Sequence, residues 1–404
     1  MSRSALPLLD GHQAWLLEGT RALYPALIGA IGQARAEILL ETYILDFTGS
    51  TQAVVEALMD AARRGVRVQL TVDGVGTGPL PDEWAQRLLD AGVQWHVYSP
   101  LGALGLLIPS RWRRLHRKLV VVDRELAFCG GINLLDDFHD PHHGVLTAPR
   151  LDYTVQVTGP LVAQAHDTMS QLWQRMEAVR QIRQRQLSGA MASFRASRRP
   201  PPPPPPPPAA APQPVPAALL LRDNLRNRSS IEKAYRKAIG SARHEVIIAN
   251  AYFLPGRKLR KALVTAARRG VSVRLLLQGR YEYFMQYYAS RPVYLDLLKA
   301  GIEVHEYAPS FLHAKVAVVD GHWATVGSSN LDPLSLLLAR EANVVVDDPA
   351  FADQLRERLV QAMQQQGQRI EMDGFSHRSL RERVRERLAL GLMRLALFVT
   401  GKHY

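Results

Sequence analysis

A histidine and a lysine two residues apart occur twice in this chain. Each pair is followed at the same distance by an aspartate, then by a glycine-containing turn and an asparagine. The first copy supplies His116, Lys118, Asp123, Gly130, Gly131 and Asn133; the second supplies His313, Lys315, Asp320, Gly327, Ser328 and Asn330. Residues two apart on a strand share a face, so His116 and Lys118 point the same way, as do His313 and Lys315. The chemistry these residues suit is that of phosphate. Lysine brings a cation and donors for non-bridging oxygens, and asparagine adds another donor. A small turn lets backbone come close. Cleaving a phosphodiester without metal needs one group to attack phosphorus and another to protonate the departing alkoxide. One copy holds one histidine; two facing copies hold both. The roles then reverse, and the acid becomes the base that activates an incoming alcohol. No Cys/His cluster with metal-ligand spacing accompanies the motifs, so neither a catalytic metal nor a cofactor is expected.

The elements that must position these residues repeat with them. AEILLETYIL (36–45), AARRGVRVQL (61–70), LHRKLVVVD (115–123) and CGGIN (129–133) return in order as HEVIIANAYF (244–253), AARRGVSVRL (266–275), LHAKVAVVD (312–320) and VGSSN (326–330). The AARRGV copies are 205 residues apart and the His-x-Lys copies 197, a tandem duplication with small loop differences. Runs such as EILLETYI and KLVVVD suit buried strands, while TQAVVEALMDAARRG has helical spacing and stops at glycine. Alternating strands and helices predict an α/β sandwich in each half, the two halves facing one shared active site. The spacing predicts a first half over 1–185, a linker over 186–217, a second half over 218–370 and a basic, apolar helical tail over 371–404. The linker contains nine consecutive prolines, an extended rod with no expected part in the chemistry. Glu41 and Asn250 read as matching positions in the first strands, ahead of Tyr43 and Tyr252, and as candidates to line the site.

The chain of 404 residues carries a formal charge of +13, which draws it to anionic partners: nucleic acid, acidic headgroups or phosphate-rich substrates. Its one cysteine, Cys129, excludes an internal disulfide. No apolar run is long enough to span a bilayer, and the N-terminus has no secretory pattern, so membrane contact is expected to be peripheral.

The paired motifs resemble the HKD motifs of the phospholipase D superfamily over roughly 10–185 and 218–365. Within it, LLETYIL, RLHRKLVVVD, GGINLLDDF, VIIANAYFLPG, HWATVGSSNLDPLS and EANVVV are similar to segments of bacterial cardiolipin synthases, particularly the shorter B type. The resemblance implies a catalytic unit of His116, Lys118, Asp123, His313, Lys315 and Asp320, with a phosphohistidine intermediate. It implies that Lys118, Asn133, Lys315 and Asn330 hold the phosphate and that Asp123 and Asp320 support the fold. It further implies that a later acidic residue in each half orients a catalytic histidine. Asp152, eight before Pro160, and Glu341, eight before Pro349, fit that place. His116 is then the nucleophile and His313 the acid/base, although the near-symmetric sequence does not itself give the direction. The implied reaction joins two phosphatidylglycerol molecules, or another glycerophospholipid donor with an alcohol, at the cytoplasmic face of a bacterial inner membrane.

Lipid access has its own candidates. GALGLLIP leads into Trp112 among Arg111, Arg113 and Arg114, so Leu106, Leu107, Ile108 and Trp112 read as an interfacial foot on an anionic membrane surface. The aromatic segment RYEYFMQYYASR (280–291) reads either as an acyl groove or as packing between the halves. A nuclease or phosphodiesterase with the same histidines, and a non-catalytic scaffold on anionic membranes, are the alternatives. The apolar foot and intact motifs disfavour both, and nucleic acid is not the expected partner.

Overall fold

The computed structural model of the protein describes residues 8–102, 105, 108–141, 143–183, 193, 214–223, 227–280, 284–332, 339–372 and 380–399. The polyproline run, Leu106 and Leu107 lie outside them.

Both halves build the same sheet. Across the first half the strands run Leu9–Glu18, Tyr153–Thr158, Leu126–Gly130, Lys118–Val122, Glu37–Thr42, Arg67–Asp73 and Gln94–Tyr98. Across the second they run Val215–Arg222, Ala339–Asp347, Trp323–Gly327, Lys315–Val319, Glu245–Asn250, Ser272–Gln278 and Glu303–Tyr307, with Gly367–Arg369 added at the edge. Strand order thus follows the duplicated sequence. The half-sheets join where Leu9–Glu18 pairs antiparallel with Val215–Arg222, so the linker gives way to strand by Val215. Parallel neighbours require a crossover, which helices Thr51–Arg63 and Asp82–Asp90 supply in the first half. Thr51–Arg63 and its repeat Arg257–Arg268 end alike: Gly65 and Gly270 take positive φ, which turns the chain back into the next strand.

Apolar alternation divides the core in three. Val120, Val122, Ile38 and Leu40 face helices Gly19–Gln33 and Thr51–Arg63; Ile248, Val246 and Val319 face their counterparts in the second half. Between these lies a cluster shared by both halves. It contains Leu119, Val121 and Cys129 from one, Val316, Val318 and Val344 from the other, and residues of helices Leu161–Arg183 and Pro349–Gln366. Neither half could bury this face alone, so the active-site cleft is set by a hydrophobic interface.

Register corrects one expectation. Leu40 lies opposite Val120 and Glu41 opposite Leu119, whereas Ile248 lies opposite Ala317 and Asn250 opposite Lys315. Glu41 is therefore the counterpart of Ala249, Asn250 that of Thr42, and Tyr252 that of Ile44 rather than of Tyr43. A one-residue slip turns a side chain to the other face. Glu41 points with Leu119 and Arg117 into the interior, where it meets Arg117 at 2.7 Å in a buried ion pair. The structural role of that pair replaces the site-lining reading.

Candidate active site

The segments that lead into the two motif strands bring their histidines to the seam between the halves by a reciprocal backbone arrangement. His116 N–H donates to Arg340 O at 3.0 Å, and His313 N–H donates to Leu151 O at 2.9 Å. Arg340 and Leu151 are the residues before Glu341 and Asp152, so each histidine is laid beside the carboxylate of the opposite half. Both Glu341 oxygens stand 3.0 Å from His116 Nδ1. Asp152 Oδ2 stands 2.6 Å from His313 Nδ1. The carboxylates that the resemblance implies are brought to the histidines, and they cross over between halves. A carboxylate on Nδ1 fixes that proton there and leaves Nε2 for chemistry.

The turn residues explain how carboxylates fit so close. A Cβ at Gly131 would collide with the Asp152 carboxylate. In the second copy Ser328 takes this place, and its hydroxyl donates to Glu341 Oε2 at 2.5 Å. His116 Nδ1 also lies 3.1 Å from Ser328 O. The near-symmetric site is thus unequal in its supports: a glutamate tied by a serine serves His116, and an aspartate beside a glycine serves His313.

The lysines fold back beside the histidines. Lys118 Nζ donates to His116 O at 2.9 Å, and Lys315 Nζ donates to His313 O. Burial, and then Lys315, push Lys118 down to about 7. Burial, then Lys315, Lys118 and His116, hold His313 well below the usual histidine range. Burial lowers His116 as well, with Glu341 opposing. Burial pushes Asp152 up to about 7, against the pull of Lys315. Four cationic or protonatable side chains therefore crowd a place built for an anion, and a phosphodiester would relieve their mutual repulsion.

Asn133 and Asn330 are both buried close behind the motifs. Asn133 Oδ1 accepts from Ile44 N–H at 3.1 Å, which leaves its amide donors for the cleft. Asn250 Oδ1 accepts from Leu331 N–H at 3.1 Å, and its amide nitrogen is buried without a protein acceptor. Asp123 and Asp320 stand apart from the histidines, across the motif strands. Asp123 accepts from the N–H groups of Arg35, Ala36 and Glu37, and Asp320 from those of Arg243, His244 and Glu245, all within 2.7–2.9 Å. Burial opposes ionisation of Asp320, but these donors outweigh it and lower its pKa. Both aspartates have positive φ. They pin the turns before strands Glu37–Thr42 and Glu245–Asn250, so they support the fold and do not face the cleft.

Three supports were not evident from the motif alone. Asp73 Oδ2 accepts from Leu115 N–H at 2.7 Å, and its repeat Gln278 accepts from Leu312 N–H at 3.3 Å, each holding the residue before a histidine. Their shared place at the end of the duplicated third strand was the available signal. The ring of Tyr43 lies 4.9 Å from that of His116, with Lys118 Nζ 5.3 Å from its centroid. A short hairpin, His139–Asp140 with Gly144–Val145, stands in the first half and has no counterpart among the described residues of the second. It occupies an interval in which Asp152 lies 19 positions after Asn133, whereas Glu341 lies 11 positions after Asn330. Arg150 holds it at Asp140 (2.5 Å), and His143 packs on Phe311, two residues before His313. Of the expected foot, Ile108 and Trp112 are half-buried. Tyr288 and Tyr294 pack into the second-half core, and Arg291 bridges Tyr287 and Glu306.

Comparison with known proteins follows the same duplication. The family described as cardiolipin synthase, phospholipase D-like domain, matches residues 27–143 and 235–363. This chain belongs to that family. It is 40% identical over 350 residues to cardiolipin synthase B of Salmonella typhi, covering 87% of this chain and 80% of the relative. It is 40% identical over 352 residues to the Escherichia coli K12 protein of that name, with the same coverage. Cardiolipin synthase A of Pseudomonas putida is 31% identical over 360 residues, covering 89% of this chain and 70% of the relative. In fold, the chain is similar to the phosphatidylserine synthase of Haemophilus influenzae Rd KW20. That match has a TM-score of 0.67 at 13% identity and covers 97% of this chain and 95% of the other.

Proposed function

We propose that this protein is a cardiolipin synthase that transfers a phosphatidyl group from one phosphatidylglycerol to another and releases glycerol. The observation that carries the reading is the pair of histidines, each tied to the other half's carboxylate around two lysines. It occurs in a chain of the cardiolipin synthase family. In the first step His116 Nε2 attacks phosphorus, the phosphorus–oxygen bond to glycerol breaks, and His313 gives its proton to the leaving alkoxide. In the second step His313 takes a proton from the hydroxyl of the second lipid. That oxygen bonds to phosphorus, the phosphorus–nitrogen bond breaks, and His116 is restored.

Lys118, Lys315, Asn133 and Asn330 hold the non-bridging oxygens. The phosphate's negative charge offsets the cations that depress His313, so substrate binding itself raises the acid's proton affinity. Asp152 and Glu341 are positioning residues. No described helix is long and apolar enough to cross a membrane. The proposed location is peripheral, on the cytoplasmic face of the inner membrane, with a glycerophospholipid substrate and an anionic surface as partners.

The test is purified protein in mixed micelles with labelled phosphatidylglycerol, wild type beside His116→Ala, products separated by mass. Cardiolipin and free glycerol from wild type alone are expected. Absence of lipid turnover by micelle-bound wild type would overturn the reading.

A further inference from the structure

The C-terminal helix Leu380–Val399 lies along helix Phe284–Lys299. Glu386 and Ala389 are buried on its inward side, and Ala389 belongs to the second-half core. Its outward side is not polar. Val384, Leu388 and Leu392 are 57%, 57% and 45% exposed, and they stand at i, i+4 and i+8, which makes one line along the helix. Arg381, Arg385 and Arg387 are exposed beside that line. At 100° per residue Arg385 falls on one flank and Arg387 on the other, with Arg381 a turn ahead. Single exposed leucines are ordinary on a protein surface, but an aligned row edged by guanidinium groups is not what a water-facing helix needs.

We propose that this outward face is the surface on which the protein rests on an anionic bilayer. The apolar row inserts at the level of the acyl boundary, and the arginines meet lipid phosphates. Charge complementarity selects this occupant: the whole chain carries +13, and cations edge the row on both sides. The placement also serves the site. The supporting helix starts six residues after Gln278, whose side chain holds the backbone next to His313. A bilayer held against the tail is therefore one helix away from the strand end that carries Gln278. The choice of lipid rests on the phosphatidyl-transfer reading, but the surface itself is read by binding alone.

The experiment uses full-length protein and sedimentation with vesicles of phosphatidylglycerol and phosphatidylcholine, or of phosphatidylcholine only. It compares wild type, Val384→Ser/Leu388→Ser/Leu392→Ser, and Arg381→Gln/Arg385→Gln/Arg387→Gln. The serine variant is expected to partition at least about 30-fold more weakly onto anionic vesicles, because three half-exposed apolar side chains no longer insert. The glutamine variant is expected to lose the preference for anionic over zwitterionic vesicles. Turnover of a short-chain phosphatidylglycerol kept below its micelle concentration is expected to stay within about twofold of wild type in both. Unchanged thermal unfolding confirms that the exposed changes leave the fold intact. Vesicle binding unchanged in the serine variant overturns the proposal. So does a wild-type dimer that the serine variant converts to monomer without loss of vesicle binding, since the row would then be a contact between two copies. Wild type that binds vesicles but turns over no lipid would defeat the catalytic reading and leave this surface standing.

Discussion

Replacing Asp152 by asparagine tests the crossed carboxylate–histidine pairing most directly. Asp152 uses its two oxygens differently: Oδ1 accepts from Tyr153 N–H at 2.8 Å, and Oδ2 faces His313 Nδ1 at 2.6 Å. In Asp152→Asn the carbonyl oxygen stays with Tyr153, so the amide nitrogen is turned towards His313. Two effects follow. Loss of a charge-assisted hydrogen bond costs about 1.5–3 kcal/mol, or roughly 10- to 150-fold in rate. The amide donor also forces Nδ1 to accept, which moves the ring proton to Nε2 and disfavours the imidazolium. Together they predict a loss in kcat on the order of 10³ to 10⁴, comparable with the same change in a serine protease triad. The assay is glycerol release from phosphatidylglycerol, run beside release of an aryl alcohol from an activated phosphodiester. The aryl group leaves without a proton, so its first-turnover burst should survive in Asp152→Asn while glycerol release collapses. Thermal stability at pH 8 should hold or rise. A carboxyl pushed up to about 7 by burial weakens the folded state as pH rises from the ordinary carboxylate range to 7, and asparagine removes that cost. A loss below tenfold, or equal losses on both substrates, would refute the role given to Asp152.

Lys118, pushed down to about 7, should impose a basic limb on kcat/KM, because above that pH the free enzyme loses the charge that holds phosphate. Lys118→Arg should move the limb upward, and a pH–rate profile unchanged by the substitution would exclude it. Asp320→Ala removes the acceptor for three backbone N–H groups and should lower stability by about 2–4 kcal/mol, read by denaturant unfolding, while the folded fraction keeps turning over lipid. Gly131→Ala should lose at least about 100-fold in kcat with little change in unfolding, since its Cβ must displace the Asp152 carboxylate. Retention of near-wild-type activity would show that the carboxylate does not need that place.

Much of the site was legible because its spacing is local. The strands begin at Lys118 and Lys315, so each histidine stands two residues ahead of its strand rather than on it, and the duplicated spacing gives the second histidine the same place. The resemblance implies an orienting carboxylate in each half, and a common distance of eight from Pro160 and Pro349 singles out Asp152 and Glu341. Glu41 and Asn250 do not occupy equivalent positions, for a physical reason. The similar runs EILLETY and VIIANAY tolerate a one-residue slip, and only pairing with the motif strand settles which face each residue takes. The hairpin His139–Val145 left a trace in the unequal intervals before Asp152 and Glu341, but its position against Phe311 did not.

The sequence by itself determined the duplicated α/β plan, the phosphate-handling residue types and the strands that carry them, because periodicity and spacing act over a few residues. Only the tertiary structure decided which carboxylate serves which histidine, that Glu41 neutralises Arg117 inside the protein, and that the C-terminal helix packs one face while leaving an apolar row outward. The tail is placed by packing on the second-half core, and the crossed pairing by burial of the face the halves share. Docking that face brings Arg340 beside His116 and Leu151 beside His313, contacts between residues more than 150 positions apart that no local pattern encodes.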